Sequence, residues 1–265
     1  MIEQKALAYK DMKVFYWTAG NSEKQAVVFL HPAFGDHTMF KHQISHFEKD
    51  YYVIAVDMVA HGKSQPRKDR VDMRDMPDII ASILDECGVE KAHLVGVSLG
   101  SLVVQAVAHA HPDRAASVTI VGGYSIHKDN KHILKTQRKA ILRWGFYMLT
   151  SMKKFKAHVV NTTMYSEEGR AISTQAITSF TRRSFMYMGG MDRFFVDNDA
   201  PVSYSLLIIC GEHDTPLAPD AAQRLNVLEP GSKLAVIKDA GHCANIDNPI
   251  LFNAAIEAFL TEVEA

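Results

Sequence analysis

The stretch AHLVGVSLGSLVVQAVAHA, residues 92–110, decides the fold class. Its first six residues predict a strand buried on both faces, and residues 101–110 predict a helix. GVSLG (96–100) spans the junction and puts Ser98 close to Gly96 and Gly100. A strand that turns directly into a helix makes a sharp turn, which needs small residues on either side of the serine.

Apolar runs of the same kind recur along the chain, with helical patterns between them. Strands are also predicted at VFYW (14–17), AVVFL (26–30), YYVIAVD (51–57), SVTIVG (117–122), SLLIIC (205–210) and KLAVI (233–237). Helices are predicted at residues 75–87, 219–228 and 249–263. This alternation predicts an α/β fold with a mostly parallel, doubly wound sheet. Runs 14–17 and 26–30 have no helix between them, so we expect them to pair antiparallel at one edge.

Residues 124–200 depart from this rhythm because they contain no strong strand signal. Residues 133–150 have helical spacing, and 179–196 are rich in Met and Phe. We therefore expect an inserted helical cap at 124–200 and a core formed by 1–123 and 201–265.

Composition excludes several classes of function. The chain has 265 residues and a net charge of −1, so no global field favours nucleic acid or membrane. Its N-terminus lacks the apolar segment of a secretory signal, and no apolar run is long enough for an integral membrane segment. Three widely spaced cysteines, an odd number, indicate reduced thiols and a cytoplasmic protein. The oligomeric state is open, with a homodimer among the alternatives.

Two later loops offer partners for Ser98, because a serine nucleophile needs a base and the base needs an orienting acid. Asp214 follows the strand 205–210, and His242 follows the strand 233–237. Parallel strands end at one edge, so both side chains are expected beside Ser98. Glu212 and Asp239 compete with Asp214, but Glu212 lies too near its strand end and Asp239 shares the loop of His242.

An oxyanion hole requires backbone donors near the serine. The N–H of Leu99 is one candidate, and the N–H of Ala33 in HPAFGDH (31–37) is the other, because Pro32 has no N–H to donate. His31 is expected to hydrogen-bond to neighbouring loop backbone. The alternative interpretations are a plain helix N-terminal serine for Ser98 and a surface-loop histidine for His242.

Five motifs carry a resemblance to a known family: HPAFGD (31–36), VDMVAHGKS (56–64), HLVGVSLGS (93–101), CGEHDTPLAP (210–219) and DAGHCANIDNP (239–249). The chain resembles the α/β-hydrolase fold superfamily, in its branch of serine esterases, lactonases and C–C hydrolases. The resemblance implies an eight-stranded sheet, a helical cap, and Ser98, Asp214 and His242 as the catalytic triad. The chain departs from the family in having His31-Pro32 where His-Gly is usual. Its serine nucleophile argues against epoxide hydrolase or haloalkane dehalogenase chemistry.

These residues predict a serine hydrolase that cleaves small, largely apolar carboxylic esters through an acyl-enzyme on Ser98. No metal and no organic cofactor is expected. The predicted substrate pocket consists of Phe34, Tyr124, Trp144, Met148, Phe185 and Met188. Lactone, thioester or C–C bond hydrolysis by the same triad remains open, as does a ligand-binding signalling protein with little turnover.

Residues 128–156 carry nine lysines and arginines and one aspartate. They are either the solvated face of a cap helix or a surface that attracts an anionic substrate or an anionic membrane.

Overall fold

A computed structural model describes residues 2–66, 71–127, 130, 142–196, 198 and 200–265. The strands are β1 (Glu3–Tyr9), β2 (Met12–Ala19), β3 (Ala26–Leu30), β4 (Tyr52–Val56), β5 (Ala92–Val97), β6 (Ala115–Val121), β7 (Ser205–Gly211) and β8 (Lys233–Ile237). The helices are α1 (Lys41–Phe47), α2 (Met76–Glu86), α3 (Leu99–Ala110), α4 (142–150), α5 (Met152–Thr163), α6 (Glu167–Ala176), α7 (Arg182–Met186), α8 (Leu217–Leu228), α9 (Ala244–Asp247) and α10 (Pro249–Glu264).

The eight strands form a single sheet in the order β1-β2-β4-β3-β5-β6-β7-β8. All neighbours from β4 to β8 are parallel, whereas β1 with β2 and β2 with β4 are antiparallel. The predicted mostly parallel, eight-stranded sheet is therefore confirmed. Helices cover it, with α1 packed against α10 and α2 against α3.

The predicted antiparallel pairing of residues 14–17 with 26–30 is wrong. The partners of β2 are β1 and β4, and β3 pairs in parallel with β4 and β5. Every residue of β4 is buried, so this strand needs a neighbour on each side, and it lies between β2 and β3. The strand β1 had no strong signal because its residues alternate between exposed and partly buried positions on an edge strand.

The helical segment, residues 142–196, lies in the crossover between β6 and β7 and contains α4 to α7. Side chains of Ser151, Ser166 and Thr181 accept a backbone hydrogen bond at the starts of α5, α6 and α7. The predicted helix 133–150 is helical at 142–150, and residues 133–141 lie outside the described residues. The division into a core and a cap stays a prediction.

The carboxyl ends of the parallel strands meet at one edge of the sheet. Leu30 lies opposite Gly96, Val97 opposite Val121, and Gly211 opposite Ile237. The chain reverses its direction of winding between β3 and β5, the place where open α/β sheets bind ligands. No helix within the described residues is both long enough and apolar enough to cross a membrane.

Candidate active site

Ser98 occupies a strained turn between β5 and α3. Its φ is 52° and its ψ is −109°, a backbone conformation that residues other than glycine rarely adopt. A Cβ at Gly96 would collide with the carbonyl of Gly100, and a Cβ at Gly100 would collide with the carbonyl of Leu30. The predicted need for small residues on both sides of the turn is confirmed.

The hydroxyl of Ser98 does not cap the helix that it precedes. An N-terminal serine normally accepts a backbone hydrogen bond from the first turn, and Ser98 accepts none with its side chain. Its backbone N–H instead donates to the carbonyl of Val121 (2.8 Å), which ties the turn to the end of β6. The strain and the unused hydroxyl disagree with a plain helix N-terminal serine.

Asp214 and His242 form a partly buried pair at the same edge. His242 Nδ1 donates to Asp214 Oδ1 at 2.8 Å, and that oxygen also accepts the N–H of Thr215 at 2.6 Å. The Asp214 side chain has no solvent exposure, and among the described residues its Oδ2 has no partner. Since the carboxylate holds the proton on Nδ1, Nε2 of a neutral His242 is left as an acceptor.

The electrostatics of the pair favour a charged His242. Burial lowers the pKa of His242, but the charge of Asp214 and its hydrogen bond raise it, and the net effect is a pKa above the ordinary value. A base with this environment is stabilised after it has taken a proton. Gly122, with φ of 58°, borders the ring: a Cβ there would lie 2.9 Å from His242 Nδ1.

The structure does not join Ser98 to His242 by a hydrogen bond. The two residues are connected indirectly, because Ser98 bonds to Val121 and the next residue, Gly122, borders the His242 ring. Hydrogen bonds between nucleophile and base are often long without substrate and shorten in the reacting complex.

Within the described part of the chain, the backbone amides of Leu99, next to Ser98, and of Ala33, in the loop after β3, lack an acceptor. Leu99 is the first residue of α3, where N–H groups have no partner inside the helix. Phe34 has φ of 71°, and Gly35 N–H donates to the carbonyl of Pro32 at 3.2 Å, so the loop after β3 is a tight turn. His31 bonds to backbone as expected, through Nδ1 to the carbonyl of Pro32 (2.8 Å) and through Nε2 to the N–H of Met58 (3.0 Å).

Glu212 and Asp239, the competing acids, are both exposed, and the Nδ1 atom of His242 bonds to Asp214 instead. Glu212 accepts the backbone N–H of Asp239 at 3.1 Å. Cys243, beside His242, is fully buried, and burial together with the charges of Asp247 and Asp214 raises the pKa of its thiol. A protonated thiol is a packing residue rather than a second nucleophile.

A family model described as the alpha/beta hydrolase fold matches residues 25–148. Together with the sheet order and the strained serine turn, this match decides the fold. The chain has the α/β-hydrolase fold.

Several proteins that are similar to this chain have named activities. The dihydrolipoyllysine-residue acetyltransferase component of an acetoin cleaving system from Cupriavidus necator is 25% identical over 89% of this chain, which spans 63% of that protein. The 3-oxoadipate enol-lactonase 2 of Acinetobacter baylyi is 23% identical over 96% of this chain and 95% of its own. A thermophilic esterase from Thermogutta terrifontis, solved with malate bound, has a TM-score of 0.81 and 20% identity over 99% of this chain and 100% of that one. The enol-lactonase agrees with the prediction of a hydrolase of the esterase and lactonase kind, as does a carboxylesterase of Bacillus subtilis that is 23% identical over 91% of this chain and 82% of its own.

The predicted pocket residues of this chain have different surroundings. Phe34 is buried, and its ring contacts those of Trp144, Phe155 and Phe180 at centroid distances of 5.5, 5.0 and 4.8 Å. Tyr124 is partly buried and stacks on Phe195. Met148 and Met188 are buried, whereas Phe185 is 42% exposed. Whether these side chains touch a substrate stays a prediction.

Asp247 is a functional candidate that the sequence did not reveal. Its carboxylate accepts the N–H groups of Tyr165 (2.9 Å) and Ser166 (2.8 Å) from the helical segment, the Ser166 hydroxyl (2.7 Å), and the N–H of Gly241 (2.9 Å). Gly241 directly precedes His242. The Asp247 carboxylate therefore links the turn between α5 and α6 to the loop that carries His242, here called the histidine loop. Its partners are more than 80 residues away in sequence for Tyr165 and Ser166, and no local pattern indicates such contacts.

Gln105 on α3 anchors the beginning of the crossover that contains the helical segment. Its side chain donates to the carbonyl of Tyr124 (2.9 Å) and accepts the N–H of Ile126 (3.1 Å). A buried glutamine on the predicted apolar helix is the sequence signal that points to such a role.

Two groups of described residues have donor atoms within 4.8 Å of one another, as a metal site requires: Asp36 with His37 and Asp57, and Glu212 with His213 and Asp239. Asp57 already accepts hydrogen bonds from His37 and from the N–H of Lys63, and the second group is exposed. Neither group includes Ser98 or His242.

Proposed function

We propose that this chain is a serine hydrolase of small carboxylic esters that acts through an acyl-enzyme on Ser98. The observation that carries the proposal is the partly buried hydrogen bond of 2.8 Å between Asp214 and His242, at the edge where Ser98 is held in a strained turn. Such a pair orients an imidazole and stabilises its charged form.

The reaction begins when Ser98 Oγ attacks the ester carbonyl and its proton passes to His242 Nε2. The N–H groups of Leu99 and Ala33 donate to the negative oxygen of the tetrahedral intermediate. His242 then gives its proton to the leaving alcohol, and the acyl group stays on Ser98. Water attacks the acyl-enzyme, His242 takes the water proton and returns it to Ser98 Oγ, and the carboxylic acid leaves.

Asp214 supports the charged intermediate of both steps. Its charge and its hydrogen bond raise the pKa of His242, which compensates for the cost of a buried imidazolium. This chemistry requires no metal and no organic cofactor.

The acyl side of the site is apolar. Phe34 follows the proposed oxyanion donor Ala33, and its ring packs among Trp144, Phe155 and Phe180. These side chains come from α4, α5 and the chain before α7, which supports a cap over the site and a small, apolar acyl group. The three cysteines are free thiols, which supports a reducing, cytoplasmic location.

A panel of p-nitrophenyl esters of graded acyl length, with lactones and thioesters as further arms, tests the proposal. The wild type should hydrolyse short esters with the highest kcat/KM, and Ser98→Ala should lose activity by on the order of a millionfold. Ser82→Ala, which removes a partly exposed hydroxyl on α2, is the matched control and should retain full activity.

Turnover of lactones or thioesters but not of open-chain esters would keep the triad and replace the substrate class. Absence of turnover of every substrate by a folded wild type would contradict the enzymatic proposal and favour a ligand-binding protein.

A further inference from the structure

The outer face of α4 is apolar and exposed. Leu142, Phe146 and Leu149 are 74%, 62% and 81% exposed. Their spacing of four and three residues puts them on one side of the helix. Large apolar side chains that are this open to water, and that lie together, indicate a surface with a partner.

The inner face of the same helix is also apolar. Met148 is buried and the partly buried Trp144 contacts Phe34, so this face packs toward the core. A helix with apolar side chains on opposite faces is ordinarily covered on both. The inner face packs against Phe34 and the core, whereas no packing partner covers the outer face within the described residues.

The apolar surface continues onto α7. Arg182 donates to the carbonyls of Met148 (2.7 Å) and Leu149 (3.3 Å), which holds the start of α7 at the end of α4. Phe185 and Met186 on α7 are 42% and 72% exposed. We call these exposed residues the outer apolar surface: Leu142, Phe146, Leu149, Phe185 and Met186.

Basic residues accompany this surface. Arg143 on α4 and Lys153 and Lys154 in the first turn of α5 are exposed. Residues 142–156 contain no acidic residue, and the sequence 130–141 before them adds Lys131, Lys135, Arg138 and Lys139, again without an acid. Apolar side chains with flanking lysines and arginines are the composition of helices that lie in the interface of anionic membranes.

We propose that the outer apolar surface docks onto a lipid bilayer that carries anionic headgroups. Leu142, Phe146 and Leu149 enter the boundary between headgroups and acyl chains, and Arg143, Lys153 and Lys154 contact the headgroups. A second copy of the chain fits this face less well, because a symmetric contact would bring two basic surfaces together without opposing acids in 142–156.

Vesicle sedimentation tests this proposal without using activity. The wild type should bind phosphatidylcholine vesicles that contain phosphatidylglycerol at least tenfold more tightly than vesicles of phosphatidylcholine alone. Phe146→Ser with Leu149→Ser should lower binding to the mixed vesicles at least tenfold. Lys153→Gln with Lys154→Gln should lower it similarly and should reduce its dependence on salt.

Val227→Ser with Ile250→Ser removes two equally exposed apolar residues, on α8 and α10, and is the matched control. Its binding should equal that of the wild type. Circular dichroism should show native helix content in every variant, since all the altered side chains are exposed.

Three results would overturn the proposal. One is a wild type that binds neither vesicle, and another is equal loss of binding in the control. The third is a wild-type dimer in size-exclusion chromatography with light scattering that Phe146→Ser with Leu149→Ser turns into a monomer, because the face then belongs to a second copy.

Discussion

The carboxyl edge of the sheet and the helical segment 142–196 are built in different ways. At the edge, backbone and side chains interlock: the Ser98 turn bonds to β6, Gly122 borders His242, and Asp214 is completely buried. In the helical segment, one helix has a buried face and an exposed apolar face. In the proposed account the sheet holds the catalytic residues rigidly, whereas the helical segment provides contact surfaces for substrate and membrane.

After replacement of Ser98 itself, the largest effect is expected for Asp214→Asn. Loss of the carboxylate removes the acceptor that orients His242, and kcat should fall by about ten-thousandfold. A pH profile of kcat/KM gives an independent readout. His242 must be neutral to accept a proton, so wild-type activity should rise with pH through a pKa above 6.5.

In Asp214→Asn the residual activity should have its acid limb at lower pH, because burial then acts on the His242 pKa without the opposing charge. Asp239→Asn alters an exposed acid on the histidine loop and should leave rate and profile unchanged. An unchanged acid limb in Asp214→Asn would contradict the assigned pair.

A single methyl group at the edge should also have a large effect. In Gly122→Ala the new Cβ would lie 2.9 Å from His242 Nδ1, so the ring must move, and kcat should fall by roughly a hundredfold. Gly88→Ala is a matched control, since Gly88 also has a positive φ of 69° but open space around its Cβ. Both variants should lose about 1 kcal/mol of stability in chemical denaturation, and only Gly122→Ala should lose activity.

Asp247 lies where the two regions meet, and its replacement tests how far they are independent. In Asp247→Asn an amide N–H₂ must face backbone N–H groups, so the α5–α6 turn should loosen from the histidine loop. We expect kcat to fall about tenfold and the free energy of unfolding to fall by about 1–3 kcal/mol. Asp220→Asn, which alters an exposed residue of α8, is the control. An unchanged kcat with a lowered stability would confine Asp247 to a structural role.

The smallest effect is expected within α4, where Trp144 and Leu149 lie on opposite faces of the helix and can be replaced one at a time. Trp144→Ala removes a ring that contacts Phe34, and the preferred acyl chain should lengthen, with a change of less than tenfold in kcat/KM. Leu149→Ala on the exposed face should leave the preference of soluble substrates unchanged. The ester panel measures both, and equal shifts would remove the distinction between the faces.

Sequence patterns predicted the carboxyl edge of the sheet well, because short local motifs determine where its strands begin and end. β5 and β8 begin and end where predicted, since each is a short apolar run followed by turn residues. Gly96, Asp214 and His242 each lie at a strand end or in the loop that follows one, where topology fixes their position. β1 escaped prediction because an exposed edge strand lacks a continuous apolar run.

The helical segment was predicted less completely because its contacts depend on tertiary packing. Phe155 and Phe180 contact Phe34 but were absent from the predicted pocket, whereas Phe185 was included and is exposed. Met and Phe at helical spacing do not show which face turns inward. Asp247 is recognised only when the distant amides that it binds are known.

Covalent labelling of Ser98 tests the central claim most directly. The protein is treated with a fluorophosphonate, whose phosphorus loses fluoride when a serine oxygen attacks it, and is then digested and analysed by mass spectrometry. The account predicts one adduct, on Ser98, with labelling at least a hundredfold slower in His242→Ala and absent in Ser98→Ala. Labelling of another serine, or an equal rate in His242→Ala, would contradict it.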